Sequence, residues 1–444
     1  MPDHATTLRN ALQHLPLSRR AALAALAAAA LPASAHAAAR LSTRARILIL
    51  GAGAAGLATA NRLAQRLDGA SITLLDRRAA HLYQPGFTLV AAGLKPASYV
   101  VSTTAEYLPP GARWIEESAR EIDPVAKTVT TDAGQRLGYD YLVVATGLSL
   151  DYGAIGGMDT ALIGRNGLGS VYASPAAAAT TYRALSEVAD RGGTFLFGRP
   201  ETEMKCAGAP LKYAMLADDI LRRRGTRAKA KLVYAAQNKT MFGVPIVSEK
   251  VRMLFAERDI AMRHDHVLTS IDPARRIATF ATPAGAQEIG YDFFNLVPPM
   301  RAPSVVRASP LAWQSGPFAA DGWAEVDRAT LRHARFPEVF AVGDVAGVPK
   351  GKTAASVKWQ VPVAVDHIVA DLADGRSSSA YNGYTSCPLI TRIGRAMLVE
   401  FDYDNNLVPS FPGVIAPLEE LWTTWLIKTI GLKPTYLAML RGKA

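Results

Sequence analysis

The sequence predicts an α/β protein of two domains, each a parallel sheet between helices, followed by a C-terminal amphipathic helical segment. Three observations carry this. Between residues 46 and 77 an apolar strand, a glycine-rich turn, a helical pattern and a second strand follow one another. The stretch GYDYLVVATG at 138–147 recurs in weaker form as GYDFFNLVPP at 290–299, as two related domains would require. From Pro417 onward, PLEELWTTWLIKTIGLKPTYLAMLRGKA places apolar residues at helical spacing. A chain of 444 residues, 49% hydrophobic and 20% charged, is long enough to bury a core in each domain.

Residues 1–37 read as an export signal. Arg19 and Arg20 form a twin arginine, an apolar run covers Ala21 to Leu31, and Ala35-His36-Ala37 is an A-x-A cleavage site. The run is too short to span a bilayer. The mature chain is therefore expected to start near Ala38 and to work in the periplasm, an oxidising compartment. A formal charge of +11 favours anionic partners, phospholipid surfaces among them, and no nucleic-acid-binding motif is present. The eight histidines form no ligand-spaced cluster, so no metal is expected.

The first domain is expected in two pieces, 38–150 and 292–372, around a second domain inserted at 151–291, with 373–444 as the C-terminal segment. In ARILILGAGAAGLATANRLA, Gly51 suits a tight turn, Gly53 lets the backbone approach a pyrophosphate, and Gly56 allows close helix packing. Ala54 and Ala55 open the helix whose N-terminus would receive the phosphates. The next strand, SITLLDRR, ends on Asp76, 23 residues after Gly53 and placed to accept from a ribose hydroxyl, with Arg77 beside it. This is a Rossmann-like dinucleotide-binding unit. Two later stretches resemble the further signatures of flavoproteins with two such domains: Ala145-Thr146-Gly147, and Gly343-Asp344 at the end of RFPEVFAVGD. Asp344 alone would read as a cap or turn residue. After it, GKTAASVKWQ should open a helix, with Lys352 and Thr353 at the start, whose N–H groups favour negative charge on a reduced flavin.

The second domain lacks the corresponding loop. After the strand TFLFG, the glycine spacing falls on Gly198, Pro200 and Glu203. Proline removes an N–H where a pyrophosphate must approach, and Glu203 brings negative charge. The next strand, KLVYAAQN, ends without a ribose-reading residue, so NAD(P)H is not expected as reductant. The loop holds Cys206 instead, preceded by Lys205 and followed by Pro210 in the first turn of a helix. A thiol there should have a lowered pKa, with the helix the safer cause because Lys205 has room to point away. The only other cysteine, Cys387, lies 181 positions later in GYTSCPLI. In an exported protein two cysteines more often form a structural disulfide than a catalytic one, and from the residues alone both readings stay open.

In the C-terminal segment Leu418, Leu421, Trp422, Trp425 and Leu426 are expected on one helical face, with Gly431 and Pro434 punctuating a second short helix. Either the pair lies in a membrane interface with Lys433, Arg441 and Lys443 at anionic headgroups, or it packs on the core or on a second subunit.

KCAGAP, GYTSCPLI, AMLVEFDY, NLVPPM and KTAA together resemble the sulfide:quinone oxidoreductases, particularly the type that includes the mitochondrial enzymes. The similarity runs over nearly all of the mature chain. It implies a glutathione-reductase-like flavoprotein with FAD, a redox-active disulfide between Cys206 and Cys387, and electron delivery to a quinone. YQPGF, Tyr83 to Phe87, matches a family segment near the cofactor and adds Gln84 to the candidate contacts, although Tyr83 and Phe87 suit a core equally. The third cysteine of many bacterial members is absent, as in the mitochondrial type. The twin-arginine leader also resembles the flavoprotein subunit of flavocytochrome c sulfide dehydrogenase, so a c-type cytochrome stays open as acceptor, and so does a non-catalytic flavoprotein with a structural disulfide. The resemblance favours sulfide, a quinone and a small sulfur acceptor as partners, with Cys387 receiving sulfide and Cys206 facing the flavin. It also favours a peripheral position on the periplasmic face of the inner membrane; a homo-oligomer stays open.

Overall fold

The computed structural model describes residues 40–444; the expected leader and its cleavage site lie outside the described residues. Elements are numbered in chain order as they enter the argument. The chain opens with β1 (Arg46–Leu50), α1 (Ala54–Arg66) and β2 (Ser71–Leu75), followed by β3 (Arg113–Ile115) and β4 (Tyr141–Val144). The run RILIL is buried after its first residue, as a strand covered on both faces must be. The alanines of α1 let that helix lie close on the sheet, and Arg66 in its last turn complements the dipole.

The chain then builds a second sheet. Its elements are β5 (Leu168–Gly169), α2 (Pro175–Ala189), β6 (Gly193–Arg199), α3 (Ala209–Arg223), β7 (Ala230–Ala236), β8 (Ile260–Arg263) and β9 (Phe293–Asn295). All of its strand pairs are parallel, in the order β5-β9-β6-β7-β8. Only afterwards does β10 (Val339–Ala341) return to the first sheet, which is also parallel and ordered β10-β4-β1-β2-β3. The return thus comes later than the expected boundary at 292: β9 pairs with β6, because FFN completes the second sheet's buried centre. The internal repeat has a structural counterpart. β4 lies beside β1 and β9 beside β6, so each copy flanks the strand that leads into its domain's glycine-type loop position.

After β10 come α4 (Ala354–Leu372), capped by Thr353, and the hairpin β11 (Thr385–Arg392) and β12 (Arg395–Phe401). The C-terminus is a helical run: α5 (Trp422–Leu426), a π turn over Ile427–Gly431, and α6 (Leu432–Leu440). This differs from the expected pair of helices. Leu418 and Leu421 precede the helix, and Leu421 bonds Ala396 on β12 through both backbone groups, at 2.9 and 3.1 Å, which ties it to the hairpin as an extended residue. Gly431 and Pro434 do not interrupt the run. The π turn inserts one residue, which rotates the following helix by about 100° and leaves room for the Pro434 ring. Thr424 faces inward before it, Lys428 within it, and Tyr436, Met439 and Leu440 after it. Among the described residues no helix is long and apolar enough to cross a membrane.

Candidate active site

The first glycine turn has the shape of a cofactor cradle. Gly51 has φ +99°, and a Cβ there would lie 2.5 Å from the Ala145 carbonyl oxygen. A Cβ on Gly56 would lie 1.8 Å from the Gly51 oxygen, whereas one on Gly53 would meet nothing within 4 Å. Two glycines are therefore required by packing and the third by open space, which is the pattern for a loop that admits a phosphate. No side chain caps the N-terminus of α1 at Gly53, so its N–H groups stay available between Ala54 and Gly56. The Thr146 hydroxyl, between Ala145 and Gly147 after β4, is buried without a partner. These residues fit a dinucleotide.

Asp76 reaches back to this turn and accepts from the Ala52 N–H at 2.8 Å. Burial works against its charge, but Arg78 and two backbone N–H groups outweigh that and hold its carboxyl below the usual range. The neighbouring base is Arg78, whose guanidinium bonds Asp76 at 2.9 Å. Arg77, expected beside the cofactor, is instead turned outward onto Asp132, in the bend that follows β2.

After β10, Gly343 has φ +79° and donates its N–H to Gln360 at 2.7 Å, and a Cβ on it would lie 3.1 Å from Ala55 Cβ in the first turn of α1. Asp344 follows it; burial raises its carboxyl pKa while Lys205 and Lys352 pull it down. Lys352 is not a solvated charge. It is 5% exposed, bonds the Asp344 and Ala346 carbonyls at 2.9 and 3.1 Å, and lies 3.6 Å from the Trp323 ring centroid. Burial brings it down to about 8, with Glu203, Asp344 and Asp321 working the other way. The Thr353 hydroxyl caps α4 by accepting the Ser356 N–H at 3.1 Å.

The loop from Pro200 to Gly208 separates β6 from α3, whereas only residues 51–53 separate β1 from α1. The longer loop replaces the tight turn with a site for Cys206. Cys206 holds φ +48°, a left-handed conformation uncommon for a residue with a side chain. Its N–H donates to the Lys352 carbonyl at 3.0 Å, and its own carbonyl accepts from the Ala209 N–H at 2.7 Å and from the Tyr172 hydroxyl at 3.2 Å. Cys387, on β11, is 4% exposed, and both cysteines stand as free thiols, each acting on the ionisation of the other.

Two lysines that the sequence reading passed over complete the cluster. Lys212, in the first turns of α3 and 2% exposed, donates to the Cys206 sulfur at 3.4 Å. Lys428, in the C-terminal π turn, donates to the Pro85 carbonyl at 2.7 Å and acts on the same sulfurs. The hydrogen bond from Cys387 and the nearby ammonium of Lys212 hold Cys206 well below the ordinary thiol range despite burial, while Cys387, which keeps the proton, is pushed up. The cation on the sulfur is therefore Lys212 and not Lys205, whose Nζ bonds Gln84 Oε1 at 2.6 Å. The 84–86 turn thus touches the site through Gln84 on one side and Pro85 on the other, while Tyr83 and Phe87 are buried in the core. A lysine near a helix N-terminus opposes the dipole; in PLKYAMLADD that misplaced charge was the available signal for a nearby anion. Lys428 carried no comparable signal, since one lysine among apolar residues also suits a solvent-facing stripe.

Residues 45–200 match the family model of the pyridine nucleotide-disulphide oxidoreductases. Over 400 residues the chain is 34% identical to the mitochondrial sulfide:quinone oxidoreductase of Mus musculus, covering 89% of this chain and 86% of that protein. The chain belongs to the sulfide:quinone oxidoreductase family. The mitochondrial sulfide:quinone oxidoreductase of Dictyostelium discoideum is likewise 34% identical, over 84% of this chain and 81% of its own. The solved structure of the sulfide:quinone oxidoreductase from Aquifex aeolicus superposes with a TM-score of 0.73 at 24% identity, over 90% of this chain and 92% of that one, which supports the fold. By family and fold this sulfide:quinone oxidoreductase family member is an FAD-dependent oxidoreductase.

Proposed function

We propose that this chain oxidises sulfide to sulfane sulfur on the Cys206–Cys387 pair and passes the electrons through FAD to a quinone. One observation carries the reading: two cysteines 181 positions apart are brought to one place, where a Cβ on Gly208, two residues after Cys206, would lie 2.6 Å from the Cys387 sulfur, beside two buried lysines and with the Cys206 N–H on the Lys352 carbonyl. The free thiols are read as the reduced form of a redox disulfide. FAD, when bound, accepts two electrons from the reduced sulfur and hands them to the quinone.

Hydrosulfide attacks the Cys387 sulfur of the disulfide. The bond between the cysteines breaks, its electron pair stays on Cys206, and Cys387 carries the new S–SH group. Lys212 stabilises the departing thiolate, which speeds the break because a sulfur of low pKa leaves faster. Cys206 as the flavin-facing sulfur is supported by its backbone bond to Lys352 and its electrostatic link to Asp344. The Cys387 persulfide then yields its outer sulfur to a small nucleophile such as sulfide, sulfite or a thiol. Gly51, Gly53, Ala54, Ala55, Gly56 and Asp76 would hold the nucleotide half of FAD, with Thr146, Gly343, Asp344, Lys352 and Thr353 along the flavin half.

The apolar exposed side of the C-terminal region, with Ile430 at 64% and Val414 at 60% exposure, supports peripheral membrane contact. Lys433 and Arg441 do not serve that contact, since they lie over the Tyr99 and Tyr107 rings at 4.5 and 4.7 Å, which leaves Lys443 as the exposed cation of the three. With the leader read from residues 1–37, the proposed site of action is the periplasmic face of the inner membrane.

An anaerobic sulfide titration tests the proposal. Sulfide should bleach the flavin absorbance, decylubiquinone should restore it, and cytochrome c should not. Cys206→Ser or Cys387→Ser should retain FAD and lose the bleaching; full activity in either variant would sink the cysteine assignment.

A further inference from the structure

The C-terminal run has an inward face as well as an exposed one. Lys428 sits there with 3% exposure, its ammonium on the Pro85 carbonyl at 2.7 Å. The ionisable groups that face it are Lys212 from α3, Cys206 from the loop before α3 and Cys387 from β11. No carboxylate is among them. A buried cation whose neighbours are a second cation and two sulfurs is stabilised only when sulfur carries negative charge. Burial and Lys212 outweigh the opposing pull of the two sulfurs and bring Lys428 down to about 7, so its charge follows theirs.

The two lysines are not equivalent. Lys212 is bonded to Cys206, the sulfur that keeps the electron pair when the disulfide opens. Lys428 is bonded to a neutral carbonyl, which leaves its charge for another anion. We propose that Lys428 is a positioning residue that the C-terminal segment delivers to the sulfur pair, where it compensates the charge of incoming hydrosulfide while Lys212 compensates the charge leaving on Cys206. This rests on the reading of Cys206 and Cys387 as the sulfide-oxidising pair. Through the attack one negative charge is conserved: it enters on hydrosulfide, the Cys387–S–SH bond forms, the Cys206–Cys387 bond breaks, and the charge ends on Cys206. A cation at each end keeps that charge balanced throughout. The segment that faces the membrane is then also part of the sulfur site, and the site is complete only when the segment is docked.

The test uses the full-length, FAD-loaded protein as wild type, Lys428→Met and Lys428→Arg, with Lys231→Met, an exposed lysine at the start of β7, as control. Two quantities are read: the pH profile of iodoacetamide alkylation of the reduced protein, and the KM and kcat for sulfide. Lys428→Met should move the alkylation midpoint upward by about one pH unit and raise KM for sulfide about ten-fold, with the smaller change in kcat. Lys428→Arg should restore both to within about two-fold, and Lys231→Met should change neither. An unshifted midpoint in Lys428→Met overturns the proposal, as does a Lys428→Arg variant that retains FAD and is as impaired as Lys428→Met. The alkylation profile does not depend on sulfide turnover. A wild-type protein whose flavin ignores sulfide would therefore remove the proposed function while the profile still reports on Lys428.

Discussion

Gly208 shows how closely the sulfur pair is enclosed. Its φ of −79° suits any residue, yet a Cβ there would lie 2.6 Å from the Cys387 sulfur and 3.2 Å from Leu389 Cδ1. Gly208→Ala must push Cys387 off its partner, because the other side chains around it, Leu389 and Phe242, are buried in the core. The expected outcome is at least a ~10-fold loss in the rate of flavin reduction by sulfide with FAD content unchanged, read by stopped-flow absorbance. Lys212 makes the pH prediction. Its ammonium helps hold Cys206 below the ordinary thiol range, so the thiolate persists to lower pH than in a free cysteine. Lys212→Met removes that cation and should shift the alkylation profile of Cys206 to higher pH. The rate then falls near pH 7 and is unchanged once the thiol is fully ionised; an unshifted profile would rule out the lysine as the cause. At this scale little of the site was legible in advance. The cysteines and the cofactor glycines announced themselves by type and spacing, whereas Lys212 left only a misplaced charge near a helix start and Lys428 became visible only when distant segments met around the same sulfurs.

The C-terminal run is the element where pattern reading and structure part most. Leu418, Leu421, Trp422, Trp425 and Leu426 have helical spacing, but two backbone bonds from Leu421 to Ala396 hold the first part against the hairpin and delay the helix to Trp422. The π turn then changes which residues face inward, and no periodicity of 3.6 reports an inserted residue. The membrane prediction follows from what remains exposed. Ile430→Glu with Val414→Glu should release the protein from anionic vesicles in a sedimentation assay and lower quinone turnover, while flavin reduction by sulfide is kept. Removal of everything after Ala416 would not separate these functions, because it also takes away Lys428 and Tyr436, whose hydroxyl bonds His81 at 2.8 Å behind the cofactor turn.

Across the described residues three regions converge on one site: the first sheet with its glycine turn, the second sheet with the Cys206 loop, and the hairpin and C-terminal run with Cys387 and Lys428. The second sheet keeps the parallel order of a nucleotide-binding domain but not its tight turn, since nine residues, 200–208, stand where the first domain uses three, 51–53. NADH is accordingly expected to leave the flavin oxidised under anaerobic conditions at concentrations where sulfide bleaches it; bleaching by NADH would show that a nucleotide site survives elsewhere. By itself the sequence determined the two parallel sheets, the cofactor turn and the two reactive cysteines as candidates, because these rest on local periodicity, glycine spacing and residue type. Only the tertiary structure decided that Cys206 meets Cys387, that Arg78 rather than Arg77 serves Asp76, and that the second sheet ends at β9. It also decided that the C-terminal run lends a cation to the sulfurs. Apart from Arg78 and Asp76, which are two residues apart and whose pairing depends on how the chain turns after the strand, each of these is a contact between segments far apart in the chain, set by packing and by the need of buried charge for a partner, and neither leaves a local mark in the order of residues.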